Sequence, residues 1–349
     1  MNAPGVPNSP ETLPRSPAEA LDQIASMRRA ILAALEPVIV GQRDVIDGVL
    51  AAVVSGGHCL LEGVPGLAKT LLVKSLAGAL GLDYGRIQFT PDLMPADITG
   101  TEVLEEDRGP AAGQGAGGSR RLRFLPGPVF RHLLLADEIN RAPPKTQSAL
   151  LEAMQEGHVT VGGATHPLPQ PFLVLATRNP IEQEGTYPLP EGQLDRFMFM
   201  LRVEYPDAAE ELEIVRRSGD EQPIVGPVVD RAALDAARRL VRRLPVADHV
   251  LRRAVQLVRS TRPTAAESPV WLRDLVRFGA GPRAGQFLVL AAKATAALDG
   301  RPCVELGDVY RAAPAVLRHR LVTTFEAESE GIRPDAIVQR LLGGDGSGV

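Results

Sequence analysis

A short loop followed by Lys69 and Thr70 is the first feature of this 349-residue chain that could do chemistry. The stretch EGVPGLAKTLLVKSLA (62–77) has the pattern of a strand end, a loop and the first turns of a helix. In such a loop the backbone N–H groups of residues 64–70 can surround a β-phosphate, the lysine can reach the β- and γ-oxygens, and the threonine hydroxyl can bind Mg²⁺. The pattern therefore predicts a nucleotide-phosphate site, with a plain strand-to-helix turn as the alternative.

One position of this loop departs from the usual phosphate-loop pattern, G-x-x-x-x-G-K-[ST]. The loop residues are Gly63, Val64, Pro65, Gly66, Leu67, Ala68, Lys69 and Thr70. Ala68 stands where the pattern has its second glycine. If the helix begins at Ala68, this residue needs only ordinary helical backbone angles, and we expect its small methyl group to be tolerated.

Two adjacent carboxylates, Asp137 and Glu138, end the apolar run HLLLADE (132–138). Neighbouring side chains at a strand end point in different directions, so two roles are open to them. Asp137 could hold the Mg²⁺ shell together with Thr70, while Glu138 could orient and deprotonate the attacking water. A solvated turn is the alternative, and the buried strand that precedes the pair disfavours it.

Three further polar residues follow the carboxylates. Asn179 ends the next apolar run, where its amide could bind a γ-phosphate or a water, or could simply begin an Asn-Pro turn. Arg196, in QLDRF, could pair with Asp195 or act as a catalytic finger for a neighbouring subunit. Arg283 lies in the first turn of a predicted helix, where the helix dipole disfavours a cation. Some other interaction must offset that, and phosphate is one candidate for the partner.

Alternating apolar strands and helices are predicted to position these residues. The predicted strands are HCLLEG (58–63), RIQFT (86–90), HLLLADE (132–138) and PFLVLATRN (171–179). They are mostly apolar on both faces, which is typical of a parallel sheet covered by helices. Helical patterns lie between them at 69–80 and 143–156, and another begins at Ser16. The fold class is therefore α/β with βαβ connections.

The C-terminal part of the chain has a different pattern. Helical segments are predicted at 207–218, 230–243, 246–260, 284–298 and 306–319, with no convincing strand. We therefore expect a disordered tail over 1–17, an α/β nucleotide-binding domain over 18–204 and an all-helical domain over 205–349. The segment 109–118, GPAAGQGAGG, is predicted to be a flexible loop tip.

Composition narrows the class of protein. The net charge is −4, which disfavours a general nucleic-acid binder, and the two cysteines, Cys59 and Cys303, suit a reducing compartment. The sequence shows neither a signal peptide nor an apolar run that could span a bilayer. These features favour a soluble, cytoplasmic protein.

Four stretches together resemble the MoxR family of AAA+ ATPases: GVPGLAKT, LLADEINRAPPKTQSALLEAMQE, ATRNPIEQEGTYPLPEGQLDRF and GPRA, in this order. The resemblance covers about residues 20–320. It implies a P-loop AAA+ core with a C-terminal helical lid. The roles that it implies are a Walker A loop at 63–70, Walker B carboxylates at Asp137 and Glu138, a sensor 1 residue at Asn179, an arginine finger at Arg196 and a sensor 2 residue at Arg283. The segment VIVGQ matches the adenine side, with Val40, Gly41 and Gln42.

The resemblance also implies a function. It implies an ATPase that uses Mg²⁺, assembles as a ring, most often a hexamer, and remodels a protein client, often with a von Willebrand A domain partner. Hairpins at 89–130 and 157–169 would contact the client, although the tip at 109–118 lacks an aromatic residue. Three alternatives are a nucleic-acid motor, a GTPase and a slow nucleotide-gated scaffold. No N-K-x-D segment supports the GTPase.

Overall fold

The computed structural model describes residues 16–106, 120–181, 185–219 and 223–343. The predicted tail over 1–17 lies outside these ranges except for its last two residues, which begin the first helix. The predicted flexible tip at 109–118 lies wholly outside them.

The described residues form helices and strands up to β9 and mainly helices after it. The helices are α1 (Pro17–Leu35), α2 (Arg43–Ser55), α3 (Lys69–Ala79), α4 (Pro95–Thr99), α5 (Pro144–Glu156), α6 (Glu191–Leu194), α7 (Ala208–Arg216), α8 (Arg231–Arg243), α9 (Asp248–Ser260), α10 (Pro282–Leu298), α11 (Leu306–Leu317), α12 (Phe325–Ser329) and α13 (Pro334–Gly343). The strands are β1 (Cys59–Glu62), β2 (Tyr84–Gln88), β3 (Gly100–Glu106), β4 (Arg120–Pro126), β5 (Leu133–Asp137), β6 (His158–Val161), β7 (Ala164–Pro167), β8 (Leu173–Arg178), β9 (Phe199–Arg202), β10 (Val276–Phe278) and β11 (Val322–Thr323). Short 3₁₀ turns lie at Ile139–Arg141, Arg217–Gly219 and Val270–Leu272.

Five parallel strands form the central sheet, in the order β2-β5-β8-β1-β9. The four strands expected from the sequence are confirmed within one or two residues at each end. The fifth, β9, was not predicted. It has four residues, of which the first three belong to the apolar run FMFML, and periodicity alone cannot assign so short a run to a strand.

The sheet is buried on both faces because its residues alternate between two hydrophobic clusters. Leu133 and Leu135 of β5 face the cluster that includes α1, α2, α3 and the C-terminal helices. Leu134 and Ala136 face the cluster that includes α5. Helices α8 and α10 pack directly on α2, so the C-terminal region shares one core with the sheet.

In the described residues beyond 204, the chain is helical apart from one small antiparallel ladder between β10 and β11. The expectation of an all-helical region was wrong in this detail. Strands of three and two residues carry too little alternation to be recognised in a sequence. Within the described ranges, none of the helices combines the length and hydropathy that a membrane span requires.

Two hairpins project from the sheet. Strands β3 and β4 pair within the predicted 89–130 insert, and β6 and β7 pair through the turn Gly162–Gly163, where both φ angles are positive. The hairpins contact each other, because the rings of Phe124 and His166 stack with centroids 3.8 Å apart.

Candidate functional site

The carboxyl ends of β1, β5 and β8 meet at one edge of the sheet. The register pairs Glu62 with Arg178 and Ala136 with Ala176, so the residues that follow these strands are neighbours. A cavity of about 500 Å³ opens at this edge. Its lining comprises the loop from Pro65 to Leu71, Asp137, Glu138, Thr177, Arg178 and Asn179. The fold therefore brings the predicted phosphate loop, both carboxylates and the asparagine together.

Lys69 is held at this cavity by its own loop. Its Nζ donates hydrogen bonds to the backbone oxygens of Gly63 and Val64, both at 2.7 Å. Burial lowers the pKa of Lys69, and the nearby carboxylates of Asp137 and Glu138 act in the opposite direction. The ammonium group is therefore partly desolvated, and it can offer its charge to an anion in the cavity.

We expect Lys69→Ala to weaken ATP binding by at least about tenfold, because a hydrogen bond to a charged group contributes about 1.5–3 kcal/mol. Titration with a fluorescent ATP analogue measures this. Lys74→Ala is the matched control, since Lys74 lies on the same helix, is exposed and does not line the cavity. Equal affinities of the two variants would contradict the phosphate-loop assignment.

Ala68 does not adopt the ordinary helical angles expected from the sequence. Its φ is 51° and its ψ is 22°, in the left-handed region, and the helix begins at the next residue. The expectation was wrong because the loop turns sharply at Ala68, the residue before α3. The glycine of the usual pattern adopts this left-handed conformation without strain. The neighbouring loop residue Gly66 also has a positive φ, of 87°.

We expect Ala68→Gly to raise the free energy of unfolding by up to about 1 kcal/mol. The left-handed conformation costs an alanine about 1–2 kcal/mol, whereas glycine loses about 0.5–1 kcal/mol more in backbone freedom on folding. Urea unfolding without nucleotide measures the change. Ala236→Gly in the middle of α8 is the control, and it should lower stability by about 1 kcal/mol. A similar loss at both positions would show that Ala68 is not strained.

The predicted adenine-side residues, Val40, Gly41 and Gln42, lead into α2. Gln42 Nε2 donates to the backbone oxygen of Leu67 at 3.1 Å, which ties this segment to the phosphate loop. Gly41 has a φ of 66°, and a Cβ there would overlap the carboxylate of Glu210 in α7. The segment therefore lies between the loop and the first helix of the C-terminal region.

Asp137 is buried, and both of its oxygens are engaged. Oδ1 accepts a hydrogen bond from Thr177 Oγ1 at 2.7 Å, and Oδ2 accepts from Arg86 Nη2 at 2.7 Å and from Nε at 3.1 Å. Sequence reasoning missed Thr177 and Arg86. A threonine inside the apolar run of β8 was the one available signal for Thr177, and no local signal pointed to Arg86.

Glu138 is held in a different way. Its backbone N–H donates to Thr177 Oγ1 at 2.8 Å, and its φ of 56° turns it away from the strand direction. Its Oε2 accepts from Gln88 Nε2 at 2.7 Å and lies 3.0 Å from Arg141 Nη1. Gln88 was also missed, although β2 carries it two residues after Arg86 and so on the same face. The two carboxylates thus have separate partners and separate orientations.

Asn179 lines the cavity and also begins a turn. Its Oδ1 accepts from the backbone N–H of Ile181 at 3.1 Å, as in the Asn-Pro turn that the sequence left open. Its side chain is mostly buried. The turn and the position at the cavity therefore occur together, because the turn places the residue at the end of β8.

Arg196 and Arg283 do not line this cavity. Asp195 does not pair with its neighbour Arg196. Instead, its carboxylate accepts from Arg283 Nη1 at 3.0 Å and from Arg320 Nε at 2.8 Å. Within the described ranges, the partly buried Arg196 forms no ion pair. The anion opposite Arg283 is thus a carboxylate of this chain.

The sequence is similar to several known proteins. A family model for the ATPase family associated with various cellular activities (AAA) matches residues 58–199, and a model for the AAA lid domain matches 272–341. The chaperone MoxR1 of Mycobacterium tuberculosis is 42% identical over 320 residues, which cover 92% of this chain and 82% of that protein. The protein MoxR of Paracoccus denitrificans is 32% identical over 324 residues, 87% of this chain and 92% of that protein.

A solved structure shows the same fold. The crystal structure of an ATPase candidate from Cytophaga hutchinsonii superposes with a TM-score of 0.83 and is 40% identical in sequence. The match covers 93% of this chain and 96% of that one. Both the sheet and the C-terminal helices are therefore shared with that structure.

Proposed function

The chain belongs to the MoxR family of AAA+ ATPases and hydrolyses ATP, and from that premise we propose that it is a chaperone that works as a hexameric ring and remodels or activates partner protein complexes. The observation that carries the proposal is the position of Arg196 and Arg283. Arg283 forms an ion pair with Asp195, and Arg196 is the next residue in the sequence after Asp195. Neither arginine lines the cavity of its own chain. In a ring, both arginines would meet the nucleotide of the next copy.

We assign the cavity residues to steps of ATP hydrolysis. The N–H groups of the loop 63–70 and Lys69 would bind the phosphates, and Val40, Gly41 and Gln42 would contact the adenine. Thr70 would bind Mg²⁺ through its hydroxyl group, and Asp137, whose two oxygens already accept hydrogen bonds, would hold the shell of the ion through water.

The remaining two assignments concern the attacking water. Glu138 would take its proton, because Glu138 Oε1 accepts no hydrogen bond from any residue that the structure describes. Asn179 would orient the water or the γ-phosphate through its amide group. Neither side chain supplies the positive charge that stabilises the γ-phosphate in the transition state. A cation from the neighbouring copy would make that contribution.

The paired hairpins are the parts that we propose contact a protein client. Leu104 and Leu122 lie directly opposite each other on β3 and β4, and they are 56% and 61% exposed. Two exposed apolar side chains on one face suit a polypeptide better than a nucleic-acid backbone, whose binding depends mainly on cations. We further propose a von Willebrand A domain protein as partner and the cytoplasm as the location.

The test uses variants that stop at different points of the cycle. We expect purified Glu138→Gln in ATP to form a closed ring by mass photometry and to retain a von Willebrand A domain protein. Lys69→Ala, which cannot bind ATP tightly, should retain neither property. A Glu138→Gln protein that stays monomeric in saturating ATP would refute the ring. If the unchanged protein hydrolysed ATP only with DNA or RNA present, the nucleic-acid motor would be favoured instead.

A further inference from the structure

Arg320 lies just after α11 and binds the backbone on both sides of Arg196. Its Nη2 donates to the backbone oxygens of Asp195 at 2.9 Å and Phe197 at 2.6 Å. Its Nη1 lies 3.4 Å from the backbone oxygen of Met198. Only 2% of the Arg320 side chain is exposed, so its guanidinium group depends on these carbonyl oxygens and on Asp195 for its hydrogen bonds.

The side chain of Asp195 completes this arrangement, which we call the lid clamp and define as Arg320, Asp195 and Arg283. Asp195 Oδ1 accepts from Arg320 and Oδ2 accepts from Arg283, at 2.8 and 3.0 Å. Both arginines belong to the C-terminal helical region, whereas Asp195 belongs to the sheet domain. The residue before Arg196 is therefore held from two points of the lid.

The clamp depends on the shape of the guanidinium group as well as on its charge. Burial lowers the pKa of Arg320 to about 10, and Asp195 counteracts the lowering, so the group is charged at neutral pH. The ring of Phe287 lies 5.1 Å from Arg320 Cζ and packs against the guanidinium. A planar group with five donors can reach a carboxylate and several carbonyl oxygens at once, which the single ammonium of lysine cannot do.

We infer that Arg320 is a positioning residue that fixes Arg196 relative to the lid, so that the orientation of the lid decides whether Arg196 reaches the nucleotide of the neighbouring copy. The inference rests on the trans role proposed above for Arg196. Arg320 does not line the cavity of its own chain. Loss of the Arg320 side chain should therefore leave ATP binding in the cavity of the same chain unchanged. It should impair only the action of Arg196 on the nucleotide of the neighbouring copy.

The first test is Arg320→Lys, which keeps the charge and removes the planar fork. We expect turnover to fall about 10- to 100-fold, as small misplacements of catalytic groups do, with unchanged affinity for a fluorescent ATP analogue. Arg301→Lys is the matched control. Arg301 also forms an ion pair with a buried carboxylate of the lid, that of Asp308, but it does not contact residues 195–198. Equal turnover in the two variants would overturn the inference.

Mixed oligomers separate positioning from general damage. The reference pair is Arg196→Ala with Lys69→Ala, which should regain activity on mixing because each supplies what the other lacks. Arg320→Lys should behave like Arg196→Ala in this assay, with recovery on mixing with Lys69→Ala and none on mixing with Arg196→Ala. If the reference pair recovers but Arg320→Lys with Lys69→Ala does not, Arg320 damages its own site and the inference is wrong.

Failure of the reference pair itself, with subunit exchange shown independently, would instead refute the trans role of Arg196 and, with it, the inference. If Arg320→Lys does not fold, Asp195→Asn provides the same test. It keeps the side-chain size and the backbone hydrogen bonds of Arg320 but removes the charge that both arginines share. We expect the same pattern of recovery, and normal turnover of Asp195→Asn would contradict the lid clamp.

Discussion

Glu138→Gln is expected to bind ATP as the unchanged protein does and to hydrolyse it about 10²- to 10⁴-fold more slowly. An amide cannot take a proton from water, but it has nearly the same size as the carboxylate. Its oxygen can still accept from Gln88 Nε2, which donates to Glu138 Oε2 at 2.7 Å. The phosphate loop and Lys69 are untouched by the change, so the site should remain formed.

The contacts of the two carboxylates favour Glu138 over Asp137 as the proposed base. Asp137 uses one oxygen for Thr177 and the other for Arg86, so a proton on either oxygen would compete with one of these contacts. Among the described residues, the side chain of Glu138 has two partners, Gln88 and Arg141, and both contact Oε2. A carboxylate with one oxygen held and one available is better placed to orient and deprotonate a water.

Steady-state phosphate release and ATP titration together measure the outcome. Glu152→Gln is the control, because Glu152 is an exposed carboxylate on α5 that does not line the cavity, and its turnover should be unchanged. A Glu138→Gln protein with turnover near that of the control would mean that another group is the base. Weaker ATP binding by Glu138→Gln would mean that the change disturbs the phosphate site.

The sequence was sufficient to predict that the phosphate loop, the two carboxylates and Asn179 lie close together. Each of these follows an apolar run that reads as a strand, and the carboxyl ends of parallel strands lie on one edge of a sheet. Their proximity therefore follows from the fold class alone. The predicted start of α1 is confirmed for a similar local reason, since Ser16 Oγ accepts from the backbone N–H of Glu19.

The partners of these residues could not be predicted in the same way, because they come from distant parts of the chain. Arg86 reaches Asp137 only because β2 lies beside β5, and strand order is not a local property. Asp195 appeared to have an obvious partner in Arg196, yet Arg283 and Arg320 occupy its carboxylate. Packing of the lid against the sheet decides that choice, and no spacing in the sequence records it.

Arg196→Ala is expected to bind ATP normally and to lose about 10³- to 10⁵-fold in turnover, as arginine fingers do in related reactions. Binding should survive because Arg196 does not line the cavity of its own chain. Turnover should fall because the charge that develops on the γ-phosphate would lose its cation. Arg252→Ala, which removes an exposed arginine on α9, is the control and should keep full activity.

A structural role for Arg196 predicts a different result. An exposed ion pair with Asp195 would contribute no more than about 1 kcal/mol, so its loss would leave most of the activity. Asp195 is already paired with Arg283 and Arg320, so the structure offers Arg196 no such partner. Thermal unfolding of Arg196→Ala should accordingly match that of the unchanged protein, while its turnover does not.

Mixing shows which copy receives the arginine. A Lys69→Ala subunit is inactive in its own site but still carries Arg196, and it can supply that side chain to an Arg196→Ala neighbour whose phosphate loop is intact. The ATPase rate should therefore rise above that of either variant and pass through a maximum as the ratio is varied. If Arg196 acted within its own chain, each subunit would keep its own defect, because no neighbour could repair it. A flat rate at every ratio, with subunit exchange demonstrated by fluorescence energy transfer, would exclude action across the interface and remove the main support for a ring.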